Sequence, residues 1–182
     1  MHTPTQIIDE IIRREGGFND IREDKGGATN YGVSLRYARG IGLDNDADGD
    51  TDTDDIRLVT ADQARELYLS DFYSGPGIAR LPAALHPVMT DWAVNSGPPR
   101  PIMALQKILN AAGFPCGQPD GVIGRRTVSQ AVAADQAMGP LLVNAICEAR
   151  ESFYRGLAAN DPSQRKFLRG WVNRAREFRV GG

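Results

Sequence analysis

Little in this sequence could cross-link it or anchor it. Two cysteines, Cys116 and Cys147, cannot build a disulfide framework, and nothing around them has metal-ligand spacing. Two separate buried thiols are the expectation. No apolar run approaches the ~18 residues that a membrane-spanning helix needs. The start, Met1-His2-Thr3-Pro4, has neither a basic n-region nor an apolar h-region. The expectation is a chain made in the cytoplasm without a signal peptide, reaching any outside target only by release. Excess charge of one sign is missing too. The formal net charge is −2, so no overall basic field points to nucleic acid. Internal repeats are absent, and strand-like alternation is scarce.

What is present suits a helical globular protein. The 182 residues are 41% hydrophobic and 24% charged, enough for a buried core. The charge is unevenly placed. Seven aspartates fall within Asp44–Asp55, and the tail from Arg165 to Arg179 is basic. A solvated helix face is the plain reading of that tail, and contact with an anionic polymer such as a cell wall is the other.

Apolar spacing predicts a helix over Thr5–Arg14, capped by Thr3 with Pro4 at its first position. Ile8, Ile11, Ile12 and Glu15 fall at i, i+3, i+4 and i+7, which puts Glu15 on the buried stripe at the last turn. Gly16 and Gly17 then end the helix. A carboxylate at an apolar edge loses water, which favours the neutral, proton-donating form that a general acid requires. A Glu swinging out to solvent is the alternative. The alternation of Phe18, Ile21, Tyr31 and Val33 suggests a short β-hairpin or an irregular loop, with Gly26-Gly27 supplying the turn. It would carry Asp24 and Thr29 back over Glu15.

The acidic run has a register. Counting from Asp44, oxygen donors stand at positions 1, 3, 5, 7, 9 and 12 (Asp44, Asp46, Asp48, Asp50, Asp52, Asp55), with Gly49 at position 6. That is the calcium-loop pattern, because Ca²⁺ takes six to eight oxygens and the glycine allows the sharp turn. The expected cofactor is therefore a structural Ca²⁺, with none needed for the chemistry. A disordered acidic linker is the competing reading.

Further helices are expected starting at Ser34–Arg39, and from Thr60 to about Phe72, about Pro87 to Asn95, Ile102 to Ala112, Gly124 through Val132, Pro140 to about Asn160 and Ser163 to about Phe178. Gly97-Pro98-Pro99-Arg100-Pro101 reads as a stiff linker. Asp91, Trp92 and Asn95 share or flank one helix face and could line a sugar cleft. Core packing is the commoner fate of such a tryptophan.

Taken together, Glu15-Gly16-Gly17-Phe18 and Asp24-Lys25-Gly26-Gly27-Ala28-Thr29-Asn30-Tyr31-Gly32-Val33-Ser34 resemble the signature of glycoside hydrolase family 108, lysozymes of phages and bacteria. The segments Asp91–Gly97, Leu105-Gln106 and Asp120–Gly124 ahead of Thr127, with the ending Phe167–Arg174, resemble the peptidoglycan-binding part usually fused to that family. The resemblance implies a mainly α, lysozyme-like fold with a small β-hairpin near the active site. It also implies a catalytic part over 1–97 and a helical peptidoglycan-binding part over 98–182, packed as one monomeric unit. The activity implied is hydrolysis of the β-1,4 bond between N-acetylmuramic acid and N-acetylglucosamine, as in an endolysin released through a holin pore. Glu15 matches the family's acid. Asp24 and Thr29 resemble the remaining members of the phage lysozyme Glu–Asp–Thr triad, with the Asp-to-Thr gap one residue shorter. Asn30, Tyr31, Asp91 and Asn95 are then candidate substrate contacts. A lytic transglycosylase, a non-catalytic wall-binding protein and a calcium-regulated interaction module are the competing readings.

Overall fold

A computed structural model describes residues 3–20 and 27–181. It is mainly helical, with one two-stranded antiparallel hairpin. The chain forms two compact units, Thr3–Ser70 and Asp71–Gly182.

The first unit begins with α1 (Pro4–Glu15). Thr3 and Gln6 form a reciprocal capping box, and Pro4 stands at the start, where its missing N–H has no partner to lose. Ile7, Ile8, Ile11 and Ile12 are buried. Each is worth roughly 1.5–3 kcal/mol when removed from water. They form the stripe that packs α1 on α4 (Ala61–Tyr68), whose Ala64 and Tyr68 are buried in turn. Strands β1 (Thr29–Asn30) and β2 (Val33–Ser34) lie between, followed by α2 (Leu35–Ile41) and α3 (Thr53–Leu58). The registers are Thr29 opposite Ser34 and Asn30 opposite Val33.

The hairpin is where sequence reading placed one, but its turn is not. The two residues between the strands are Tyr31 (φ 50°) and Gly32 (φ 78°). Two successive left-handed residues make the primed turn that matches strand twist. Gly27 lies before β1, and Gly26, Ile21 and Asp24 fall outside the described residues. Asn19 and Thr29 bridge instead, through two backbone hydrogen bonds of 2.8 Å.

In the second unit, α5 (His86–Ser96) is buried through its middle, from Val88 to Ala93. Val88, Met89, Trp92 and Ala93 are buried against α6 (Pro99–Ala111) and α8 (Pro140–Asn160). Helix α7 (Arg125–Met138) also packs on α6 and α8, and α9 (Arg165–Arg176) returns along α8. The proline-rich stretch read as a linker is instead the first turn of α6. Pro98, Pro99 and Pro101 occupy positions whose N–H groups no helical carbonyl would accept from, so the helix tolerates all three. Only Gly97 and Pro98 separate α5 from α6. At the other end Asp161, and not Ser163, caps the turn ahead of α9, accepting from the Ser163 backbone and hydroxyl. Cys116 and Cys147 are free and buried. Burial pushes the Cys147 thiol up to about 11, so it is inert near neutral pH.

Candidate active site

Glu15 is the last residue of α1 and is half-buried. Gly16 closes the helix with φ +77°, its N–H bonded to Ile12 O at 3.2 Å. The hairpin turn comes down against this end. A Cβ placed on Gly32 would overlap the Tyr68 hydroxyl and would lie 2.8 Å from Glu15 Cγ and 2.9 Å from Glu15 Cβ. Gly32 therefore has two reasons to be glycine: its left-handed φ, and a backbone pressed onto the carboxylate's stem. The Tyr68 hydroxyl donates to Tyr31 O at 3.1 Å, so α4 holds the turn in place. Sequence spacing marks Tyr68 as core only. Its hydroxyl has a positioning role that helical periodicity does not reveal.

Three sequence-chosen residues share this corner. Thr29 is half-buried in β1, paired with Asn19 on one side and Ser34 on the other. Tyr31 is half-buried in the turn itself. Asn30, chosen as a substrate contact, is 5% exposed and faces the other way. Its amide donates to Ile56 O (3.0 Å), Arg57 O (3.3 Å) and Val59 O (3.1 Å). These carbonyls lie at the end of α3, where most lack a partner further along the helix; Ile56 O also accepts from Val59 N–H at 3.3 Å. Asn30 thus ties the hairpin to α3. Asp24 lies outside the described residues. The Arg57 guanidinium lies 4.3 Å over the Phe18 ring.

Helix α3 leads back to the acidic loop. Asp55, expected at calcium position 12, is 1% exposed. Its Oδ1 accepts from the N–H groups of Asn45 (2.6 Å) and Asp46 (3.4 Å), and its Oδ2 from Asp52 N–H (2.7 Å). The N–H groups of Asp52 and Asn45 hold its carboxyl below the usual range. Asp55 closes the loop, forming a capping box with Asp52. Gly49 turns at φ +97°, as the calcium register requires. The carboxylates gather as two groups, Asp44–Asp46–Asp48 and Asp50–Asp52–Asp55, with ligand atoms in each within 4.8 Å of one another. The charge of Asp48 raises the Asp50 pKa, with loss of hydration by the crowded carboxylates adding to it. The loop is fastened at both ends: Arg39 donates to Thr51 O (3.0 Å), and Asn45 pairs with Gln63.

Asp91 and Asn95 belong to the second unit, and the sugar-cleft expectation does not describe what they touch. Asp91 is 1% exposed. Arg150 Nη2 donates to it at 2.6 Å, and Arg174 grips both its oxygens at 2.8–3.1 Å. Asn95 Oδ1 accepts from Arg150 at 2.9 Å. A carboxylate so enclosed serves as a tie between helices. Trp92 is buried as well. Gln106 forms a second internal hub. Its amide donates to Asp120, Val122 O and Thr127, and its carbonyl accepts from Gly121 N–H. The motif segments Leu105-Gln106, Asp120–Gly124 and Thr127 thus meet at Gln106.

Residues 8–97 match the family model for glycosyl hydrolase 108, and residues 100–176 match that of a predicted peptidoglycan domain. The N-terminal part of this chain is a glycosyl hydrolase 108 domain. This glycosyl hydrolase is also similar to the structure of Brucella abortus SagA, with a TM-score of 0.77 and 26% sequence identity, covering 97% of this chain and 91% of that one. No curated protein matches it. The fold is lysozyme-like, as the motifs imply, and the glycosyl hydrolase is a glycosidase acting on peptidoglycan. Among the described residues, no helix is long and apolar enough to cross a membrane.

Proposed function

We propose that this glycosidase is an endolysin-type muramidase, cleaving the β-1,4 bond between N-acetylmuramic acid and N-acetylglucosamine with Glu15 as general acid. The observation that carries the reading is the seat of Glu15. It ends a helix with one buried face, is itself half-exposed, and has its stem against Gly32, where no side chain fits. A carboxyl so placed can reach a substrate oxygen while its position is fixed. Glu15 protonates the glycosidic oxygen as the bond to the muramic anomeric carbon breaks and oxocarbenium character develops there. Water then adds at that carbon, losing its proton to a base. Asp24 and Thr29 are the groups proposed to orient that water. Glu15→Gln is expected to abolish release of reducing ends from purified walls while leaving the melting temperature unchanged. Release at the wild-type rate would refute the assignment. Mass spectrometry of the products, which distinguishes a hydrated end from a 1,6-anhydro end, would separate hydrolysis from transglycosylation.

The same reading gives the acidic loop a structural Ca²⁺, held by Asp44, Asp46, Asp48 and Asp50, with Asp52 and Asp55 behind them. Hard, exposed carboxylate oxygens around a glycine turn suit that ion, which would neutralise their mutual repulsion. Bound Ca²⁺ at a hundredfold excess over its Kd would add about 2.7 kcal/mol. Chelation should therefore lower Tm by roughly 5–10 °C, at 2–4 °C per kcal/mol, and calcium should restore it. Identical melts in chelator and in calcium would refute the ion.

A further inference from the structure

In the second unit, a cavity of about 370 Å³ opens between α5, α6 and α8, lined by Trp92, Arg100, Met103, Lys107, Ser152 and Phe153 among others. Its chemistry is lopsided. The walls are aromatic and aliphatic, two cations stand among them, and no carboxylate lines it. The Arg100 guanidinium lies 4.9 Å over the Phe153 ring, and Lys107 is exposed. Neither the helix packing nor an ion pair with a lining residue explains two like charges beside one apolar hollow. A second observation concerns Trp92, which is 2% exposed and packs at 6.0 Å from Phe153. Its indole N–H has no acceptor among the described residues. That nitrogen is itself closed to solvent, so Trp92 lines the cavity with ring carbons and not with its N–H.

We propose that this cavity is a subsite for the stem peptide of peptidoglycan, taking small apolar side chains against Trp92, Met103 and Phe153 and carboxylates against Arg100 and Lys107. The proposal rests on the reading of the chain as a peptidoglycan-acting glycosidase and goes beyond it in separating peptide from glycan. A sugar ring presents hydroxyl and acetamido groups that need several fixed polar partners. Among the lining side chains, Ser152 is the one neutral hydrogen-bonding group exposed to solvent. A stem peptide presents alanine methyls and free carboxylates, which match an apolar floor with a cationic rim. The glycan would then be handled at Glu15 and the peptide here.

Trp92 and Trp171 are the two tryptophans, so a Trp171→Phe background leaves Trp92 as the sole reporter. The test titrates that protein with a synthetic stem pentapeptide ending in D-Ala-D-Ala, following Trp92 emission. A saturable change is expected, weakening at least tenfold in the Arg100→Gln/Lys107→Gln variant and weakening with added salt. Ala104→Phe, which fills the cavity and leaves both charges, is expected to weaken binding similarly. No saturable change, equal affinity in the double Gln variant, or equal competition by peptide-free glycan chains would each overturn the proposal. Wall hydrolysis is read in parallel on the same preparations. Hydrolysis without peptide binding refutes the subsite alone, whereas peptide binding without hydrolysis supports it and refutes the muramidase reading.

Discussion

Gly32→Ala is the sharpest probe of how the fold serves Glu15, because a matched control exists. Gly32 (φ +78°) and Gly42 (φ +67°) both adopt the left-handed conformation in the same unit. Around Gly42 an added Cβ meets nothing within 4 Å, whereas at Gly32 it overlaps the Tyr68 hydroxyl and crowds Glu15 at 2.8–2.9 Å. Strain alone should cost about 1–2 kcal/mol in either variant. Crowding should add about 1–3 kcal/mol at Gly32. Gly42→Ala should thus lower Tm by roughly 2–8 °C, and Gly32→Ala by roughly 4–20 °C, at 2–4 °C per kcal/mol. Activity should separate them further. Relief of the overlap requires Glu15 or Tyr68 to move, and a displacement of ~1 Å at a catalytic group can cost ~10²-fold. Clearing of a wall suspension, below both melting points, should therefore be near wild type for Gly42→Ala and about a hundredfold slower for Gly32→Ala. Adding Tyr68→Phe removes the nearest atom and should recover part of the lost stability. If both glycine variants clear walls equally fast and melt together, the turn does not position Glu15.

Two further outcomes concern the second unit. Asp91→Ala strands Arg150, which is fully buried, beside Arg174, and should cost about 3–5 kcal/mol; a denaturant midpoint within error of wild type would refute the tie. For Glu151, burial opposes ionisation, but the hydrogen bond and charge of Arg176, with Arg179 and Arg155, outweigh it and hold the carboxyl below its ordinary 4.5. Its contribution to stability is full above that ordinary value and is lost as pH falls through the lowered folded value. Acid unfolding should therefore be less steep in Glu151→Gln, and an unchanged acid limb would show that Glu151 does not drive it.

Helices are legible in the sequence because their apolar residues recur at helical spacing and their ends carry capping residues: Thr3 with Pro4 marks the start of α1 through residue types alone. The turn of the hairpin is not legible. Tyr31 is a non-glycine residue held at positive φ, and the neighbouring Gly26-Gly27 pair is the stronger local signal. The prolines ahead of α6 mislead for a related reason, since the same residues that stiffen a linker also fit a first helical turn. Asp91 and Asn30 resemble ligand-binding polar residues because their partners are remote. Arg150 and Arg174 stand 59 and 83 residues from Asp91, and the carbonyls that occupy Asn30 lie 26 to 29 residues away. Glu15 is recognisable by its place at the end of an apolar stripe. The hydroxyl and the glycine that hold it there come from other elements.

The two-residue corner between α5 and α6 has a consequence for how such a chain can be inherited. The stretch matched as glycosyl hydrolase ends at residue 97, yet its last helix lies among helices of the following stretch, with Asp91 clasped by Arg150 and Arg174. A recombination event cutting at that point would leave Val88, Met89 and Trp92 without their cover. It would also hand the recipient two arginines and no counter-ion. Any lineage that exchanges the wall-binding part must carry α5 with it, so in this chain the unit of exchange begins upstream of the motif boundary, near the π-helical turn at Leu69–Ser74.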